Sequence, residues 1–161
     1  MIISLSESEM QAAGSIGVSR YIKMIVNGLG ESRGSSPVDG WQRQVEGAMG
    51  EMAAAKGLKM YPTAFSNRMN EGDLGSLEVR TTFHKQGRLR LNQVDDPSKR
   101  YVHVVGSVGQ YQLKGWAWGH EVLSMEPEEM QPGRPAYYLP NERLSDLVDL
   151  LASLRWEGDL G

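Results

Sequence analysis

The sequence predicts an α/β domain with a central mixed β-sheet of four to five strands flanked by helices, residues 1–161 forming one unit. Three observations carry this. Segments 6–28, 40–56 and 141–155 space their apolar residues as helices do, whereas 77–83, 88–91, 101–105 and 111–118 alternate or run apolar over strand lengths. Clusters of Gly, Pro, Asn, Asp and Ser separate the two kinds of segment. A chain of 161 residues also suits a single core, because about 150 residues can bury roughly 70% of their unfolded surface.

The elements follow in order. In the first helix, 6–28, Ser6 is a candidate cap with Glu9 at the capping-box position. Ala13, Ile16, Gly17, Arg20 and Tyr21 keep helical spacing there. Gly28 to Pro37 is a loop, and without a Gly-Lys-Ser/Thr ending or a preceding strand it does not read as a nucleotide cradle. Asp39 is the expected cap of the second helix, and Gly57 its expected stop. Residues 60–70 form a short strand or irregular run. Strand 77–83 is expected to turn at Lys85-Gln86-Gly87 and pair with Arg88-Leu89-Arg90-Leu91 as a hairpin. Asp95-Asp96-Pro97-Ser98 is a turn, 101–105 and 111–118 are strands, Tyr137 to Leu139 is a short edge strand, and 141–155 is an amphipathic helix.

Composition narrows the class. The chain has 40% hydrophobic and 23% charged residues, no cysteine, and no apolar run near the roughly 20 residues of a membrane span. Disulfides, thiolate catalysis and cysteine zinc sites are thereby excluded. The first residues lack a basic leader, so a cytoplasmic location and no membrane partner are expected. A net charge of −3 argues against a nonspecific nucleic-acid coat, yet Lys85, Arg88, Arg90, Lys99, Arg100 and Lys114 concentrate basic charge mid-chain.

Chemistry gathers around Asp73 to Thr82. On an extended strand Glu78, Arg80 and Thr82 share one face, and Leu77, Val79, Thr81 and Phe83 the other. Asp73 precedes Glu78 across Gly75-Ser76, where a tight turn would bring two carboxylates together beside a cation. Upstream, Trp41, Val45, Ala48, Met49 and Met52 form one helical stripe, and Gly47, Gly50, Ala54 and Leu58 a nearly opposite one. Glu51 lies inside the small-residue stripe. A carboxylate buried there requires a cation or a metal, whereas Glu46, off both stripes, reads as a solvated surface residue. Glu71 is a weaker rival ligand than Asp73.

The run Gly47-Ala-Met-Gly-Glu-Met-Ala-Ala-Ala-Lys-Gly-Leu58, followed by Asp73 and then Glu78-Val79-Arg80, resembles the PD-(D/E)XK nuclease superfamily in the style of small phage-encoded members. The resemblance covers about residues 40–120 and implies a restriction-endonuclease-like core that hydrolyses DNA phosphodiesters with Mg²⁺, Mn²⁺ substituting. It implies Asp73 and Glu78 as metal ligands, Glu51 as a direct or water-mediated ligand, the Val79 carbonyl facing the ion, and Arg80 in the place of the usual lysine. Lys85, Arg88 and Arg90 would then meet the DNA backbone. A phage protein would act in the host cytoplasm, and a homodimer is left open. The Asp-to-Glu interval is short for the family. Arg80 cannot be a general base, because a guanidinium stays protonated, but it can hold phosphate or water.

Two alternatives stay open: a catalytically silent DNA-binding or assembly protein of the same fold, and an interaction module in which Arg80 pairs with Asp73 or Glu51 in a buried charge network. The three histidines lack metal-ligand spacing. His103 reads as a sheet residue, and His84 as a turn residue or a phosphate contact. Trp116 and Trp118 read as packing more than base stacking, and no Gly-x-Ser-x-Gly elbow exists.

Overall fold

The computed structural model describes residues 1–28, 37–60, 73–131 and 133–157. Its elements are β1 (Ile2–Ser4), α1 (Glu7–Val26), α2 (Pro37–Leu58), β2 (Leu77–Thr82), β3 (Leu89–Asn92), β4 (Arg100–Ser107), β5 (Gln110–Trp118), α3 (Gly119–Leu123), β6 (Glu128–Gln131), β7 (Arg134–Leu139), a 3-10 turn (Asn141–Arg143) and α4 (Leu147–Glu157). The α/β class and the mixed four-stranded sheet are as expected. The sheet order is β1-β5-β4-β2, and a second sheet, β3-β7-β6, was not anticipated.

Local chemistry explains the helices. At the start of α1 the Ser6 hydroxyl accepts the Glu9 N–H and the Glu9 carboxylate accepts the Ser6 N–H, a complete capping box. Helix α2 begins two residues before Asp39, which therefore stands in its first turn instead of capping it. Pro37 suits that start, since its missing N–H is one the first turn leaves unpaired anyway. Gly57 does not stop α2. Lys59 does, in the left-handed conformation at φ 55°, with Met60 N–H donating to Ala55 O at 2.9 Å and Lys59 N–H to Lys56 O at 3.3 Å. Gly57 instead lets the helix approach Leu113 and Ile3, whose side chains would lie 2.9 and 3.2 Å from a Cβ there.

Strand β2 runs parallel to β4, from Leu77 opposite Arg100 to Thr82 opposite Val105, while β4–β5 and β5–β1 are antiparallel. Parallel neighbours require a crossover. Residues 83–99 make that crossover and carry β3 away from β2, so the expected hairpin between 77–83 and 88–91 is absent. The turn forms, Gly87 N–H donating to His84 O at 2.8 Å, but Leu89 and Leu91 pair with Leu139 and Tyr137 of β7. Segment 137–139, expected at an edge, is thus the middle strand of the second sheet. The helix expected over 141–155 is divided: a 3-10 turn, then α4.

The four-stranded sheet is sandwiched. One face packs Val79, Val102, Val104 and Leu113 against Ala53, Ala54 and Leu58 of α2 and Leu150 and Leu154 of α4. The other packs Tyr101 and Ala117 against Leu89 and Leu91 of β3 and Leu139 of β7. Alternation on β2 therefore sends Leu77 and Val79 to the helices and Glu78 and Arg80 to the opposite side. Helix α1 covers α2, close enough that a Cβ at Gly17 would lie 2.6 Å from Gln44 O. The α2 glycines divide in role: Gly50 seats on the Thr81 side chain, whereas nothing lies within 4 Å of a Cβ at Gly47. Trp116 is core, its indole N–H donating to Asp146 O at 3.0 Å. No helix among the described residues is long and apolar enough to cross a membrane.

Candidate functional site

β2 is the last strand of its sheet, and its outer edge is where the acidic residues meet. The Gly75-Ser76 turn is tight. Leu74 and Leu77 exchange both backbone hydrogen bonds, at 3.1 and 3.0 Å, and Gly75 takes the left-handed φ of 61° that the first central position of a type II′ turn requires. This folds Asp73 back so that its Oδ2 accepts the Val79 N–H at 2.8 Å. In a strand the N–H and C=O of one residue point to the same side. The Val79 carbonyl therefore faces the same outer edge, where Arg80 Nη1 donates to it at 3.3 Å.

Glu51 arrives from α2, one residue after the Gly50 contact. Only 7% exposed, it is met by Arg20 of α1 in a bidentate pair, Nη1 to Oε1 at 2.6 Å and Nη2 to Oε2 at 2.7 Å. Glu78 arrives from the opposite sheet face. It takes a short ion pair from Lys99, and Arg80 Nη1 lies 3.7 Å from its Oε2. Arg80 also reaches Asp95 at 3.0 Å and lies 5.0 Å above the Tyr101 ring. Asp95 fastens this corner by accepting the Asn92 N–H at 2.7 Å. The Glu78 hydrogen bond raises the Lys99 pKa, so this ammonium stays charged.

Asp73 carries the unusual titration. Burial, then the negative charge of Glu51 and that of Glu78, push its carboxyl from an ordinary 3.8 up to about 7, against the opposing pull of the Val79 N–H and Arg80. Asp73 thus feels the charge of both glutamates at the edge of β2. The three acids do not form one cage: among the described residues no three His, Asp or Glu side chains are grouped to hold an ion. Each glutamate is turned to its own base. In kind, carboxylate and carbonyl oxygens are the donors a hard divalent cation takes, and such a charge nearby would favour the ionised form of Asp73.

That titration has a measurable sign. A folded-state pKa above the unfolded one contributes stability that is complete below about 3.8 and is lost as pH rises through about 7. His103, whose pKa burial lowers, acts oppositely by losing stability as pH falls below its ordinary 6.5. Metal-free urea titrations of wild type and Asp73→Asn between pH 5 and 8 separate the two. The wild type is expected to fall relative to the variant by up to about 1.4 kcal/mol per pH unit until Asp73 is ionised. Parallel pH profiles would contradict the raised pKa.

The basic residues divide. Lys85, Arg88 and Arg90 are exposed, Arg88 in a bidentate pair with Glu128 at 2.6 and 2.9 Å and stacked 4.4 Å over Tyr138. Arg100, counted in the basic middle, is only 4% exposed, donating to Ser76 and Ser153 and facing the Trp118 ring, and so does not present charge to a ligand. Glu46 is not merely solvated, since its carboxylate accepts the Tyr111 hydroxyl at 2.7 Å. Glu71 lies outside the described residues, as does nearly all of the 28–37 loop.

Sequence reasoning missed three participants: Arg20, Lys99 as the partner of Glu78, and Asp95. For Arg20 a signal existed, an arginine at the spacing of buried Ala13, Gly17 and Tyr21, which calls for an acid opposite. Lys99 shares the face of Glu78 only once β4 is known to run parallel to β2. No protein-family model, curated protein or solved structure matches the chain.

Proposed function

We propose that the chain is a metal-dependent DNA nuclease that hydrolyses phosphodiester bonds at the outer edge of β2. The observation that carries this is Asp73: a largely buried carboxyl that accepts the Val79 N–H at the outer edge of β2, raised to about 7 by burial and by the charges of Glu51 and Glu78. Asp73, Glu78 and Val79 would hold Mg²⁺, and Glu51 would ligate directly or through water. Bound there, the ion supplies Lewis-acid stabilisation of phosphate charge and lowers the pKa of a water.

The chain's own residues supply the rest. Arg80 is held by Asp95, the Val79 carbonyl and the Tyr101 ring, so its fork is preorganised to neutralise a phosphate oxygen as charge develops. Neither Arg80 nor Lys99 removes a proton, because both stay charged near neutral pH. Arg20 and Lys99 hold Glu51 and Glu78 in position.

A second reading is favoured by those same pairs. Two of the three acids are already neutralised by bases, which suits a catalytically silent DNA-binding protein. Single-stranded, duplex and flapped DNA incubated with Mg²⁺, Mn²⁺ or EDTA separates the readings. Cleavage of at least one form, dependent on metal and lost in Asp73→Asn, is expected. Salt-sensitive binding without cleavage supports the silent binder, and neither binding nor cleavage removes both.

A further inference from the structure

Beyond Thr82 the chain leaves the sheet with two aromatic rings in the open. Phe83 is 63% exposed, and its ring lies 4.2 Å from that of His84 at a tilt of 37°. Next to them His84, Lys85, Gln86, Gly87, Arg88 and Tyr138 line a groove of about 590 Å³. The groove's turn is fixed from behind: the Gly87 carbonyl accepts Asn141 Nδ2 at 3.1 Å and lies 2.9 Å from His103 Nε2. Lys85 and Arg88 give it positive charge, with Glu128 the acid paired to Arg88.

An exposed ring pair beside a cationic, backbone-pinned groove matches one ligand chemistry: flat apolar faces joined by phosphates. Duplex DNA hides its base faces in its own stack, so only unpaired bases can offer them. Four residue steps, the last of them just past the end of β2, lead from Val79 to Phe83. They span about 13 Å, roughly four base-step rises, so the rings and the β2 edge lie within reach of one short oligonucleotide.

We propose that Phe83 and His84 are a stacking platform for unpaired bases of single-stranded DNA, whose phosphates follow Lys85 and Arg88 in the adjoining groove. The location rests on the nuclease reading, since β2 would then lead from the platform to the reacting phosphate. The preferred substrates are single strands or the unpaired arm of a flap.

Binding measured in EDTA separates this platform from catalysis, because it reads the same whether or not the protein cuts. Fluorescence anisotropy with a labelled 12-nucleotide oligo(dT) and a blunt 12-base-pair duplex is expected to show tighter binding of the single strand. Phe83→Ala should weaken oligo(dT) binding about 10-fold, the scale of one lost base stack, with unchanged duplex binding and an unchanged melting temperature. Phe83→Trp should restore affinity, with indole emission quenched as oligo(dT) saturates. Lys85→Ala should reduce the salt dependence of both complexes. Equal affinity of wild type and Phe83→Ala for oligo(dT), preference for duplex, no binding of either, or tighter binding of oligo(rU) than of oligo(dT) would each overturn the proposal. Loss of cleavage with this pattern intact would instead overturn only the nuclease reading.

Discussion

Arg80→Ala is expected to lower the proposed metal-dependent DNA cleavage at least roughly 100-fold, whereas Arg80→Lys is expected to keep part of it. The expected size is that of losing one preorganised electrostatic group. The geometry explains the direction. Arg80 reaches Asp95 at 3.0 Å and the Val79 carbonyl at 3.3 Å, so its fork is aimed along the edge where Asp73 also lies. Alanine loses charge and aim together. Lysine keeps the charge, as a compact ammonium that cannot hold both partners at once. Single-turnover rates with saturating Mn²⁺ read the chemical step, and equal rates in wild type and Arg80→Ala would remove Arg80 from it.

The second large effect is on stability. Arg20→Ala is expected to cost about 3 kcal/mol in urea unfolding, because it leaves Glu51, 7% exposed, without the guanidinium that holds both its oxygens. Arg20→Leu combined with Glu51→Leu should recover most of that loss, since a well-packed apolar pair avoids burying charge. A cation offers another remedy. If Glu51 belongs to an ion site, millimolar Mg²⁺ should raise the melting temperature of Arg20→Ala more than that of wild type, by ligand linkage. A destabilisation below about 1 kcal/mol would mean that water reaches Glu51 and the pair is not what holds it.

Much of the fold was legible where the signal was local. The Ser6–Glu9 box and the Gly75-Ser76 turn depend on residues within a few positions of each other, and both form as read. Val108-Gly109, with φ 51° and 79°, likewise closes the β4–β5 hairpin where a break was expected. Pairing over distance was not legible. Leu89 and Leu91 alternate equally well beside any strand, so their separation from β2 into a sheet with β7 left no trace in the segment itself. Strand β1, with only three residues, and the short β6 and α3 gave too little pattern to find.

The site divides along the same line. Glu51 was identifiable because a carboxylate in a stripe of small residues must be compensated, but its partner Arg20 is 31 positions away. Asp73, Glu78 and Arg80 were identifiable from strand alternation and turn chemistry. Their proximity to Asp95 and Lys99 follows from the crossover, which a strand pattern alone does not specify. The alternative of a charge network had Arg80 pair with Asp73 or Glu51; its ion-pair contacts are instead to Asp95 and Glu78, on the sheet face opposite α2.

The central claim is that the edge of β2 binds one divalent ion through Asp73. Calorimetric titration of the protein with Mn²⁺ at pH 7, in two buffers of different ionisation enthalpy, measures both the ion and the proton it displaces. The account predicts one ion per chain with a fraction of a proton released, because Asp73 titrates near 7, and loss of both in Asp73→Asn and of binding in Glu78→Gln. No binding at millimolar Mn²⁺, or binding that survives Asp73→Asn with its proton release unchanged, would contradict it.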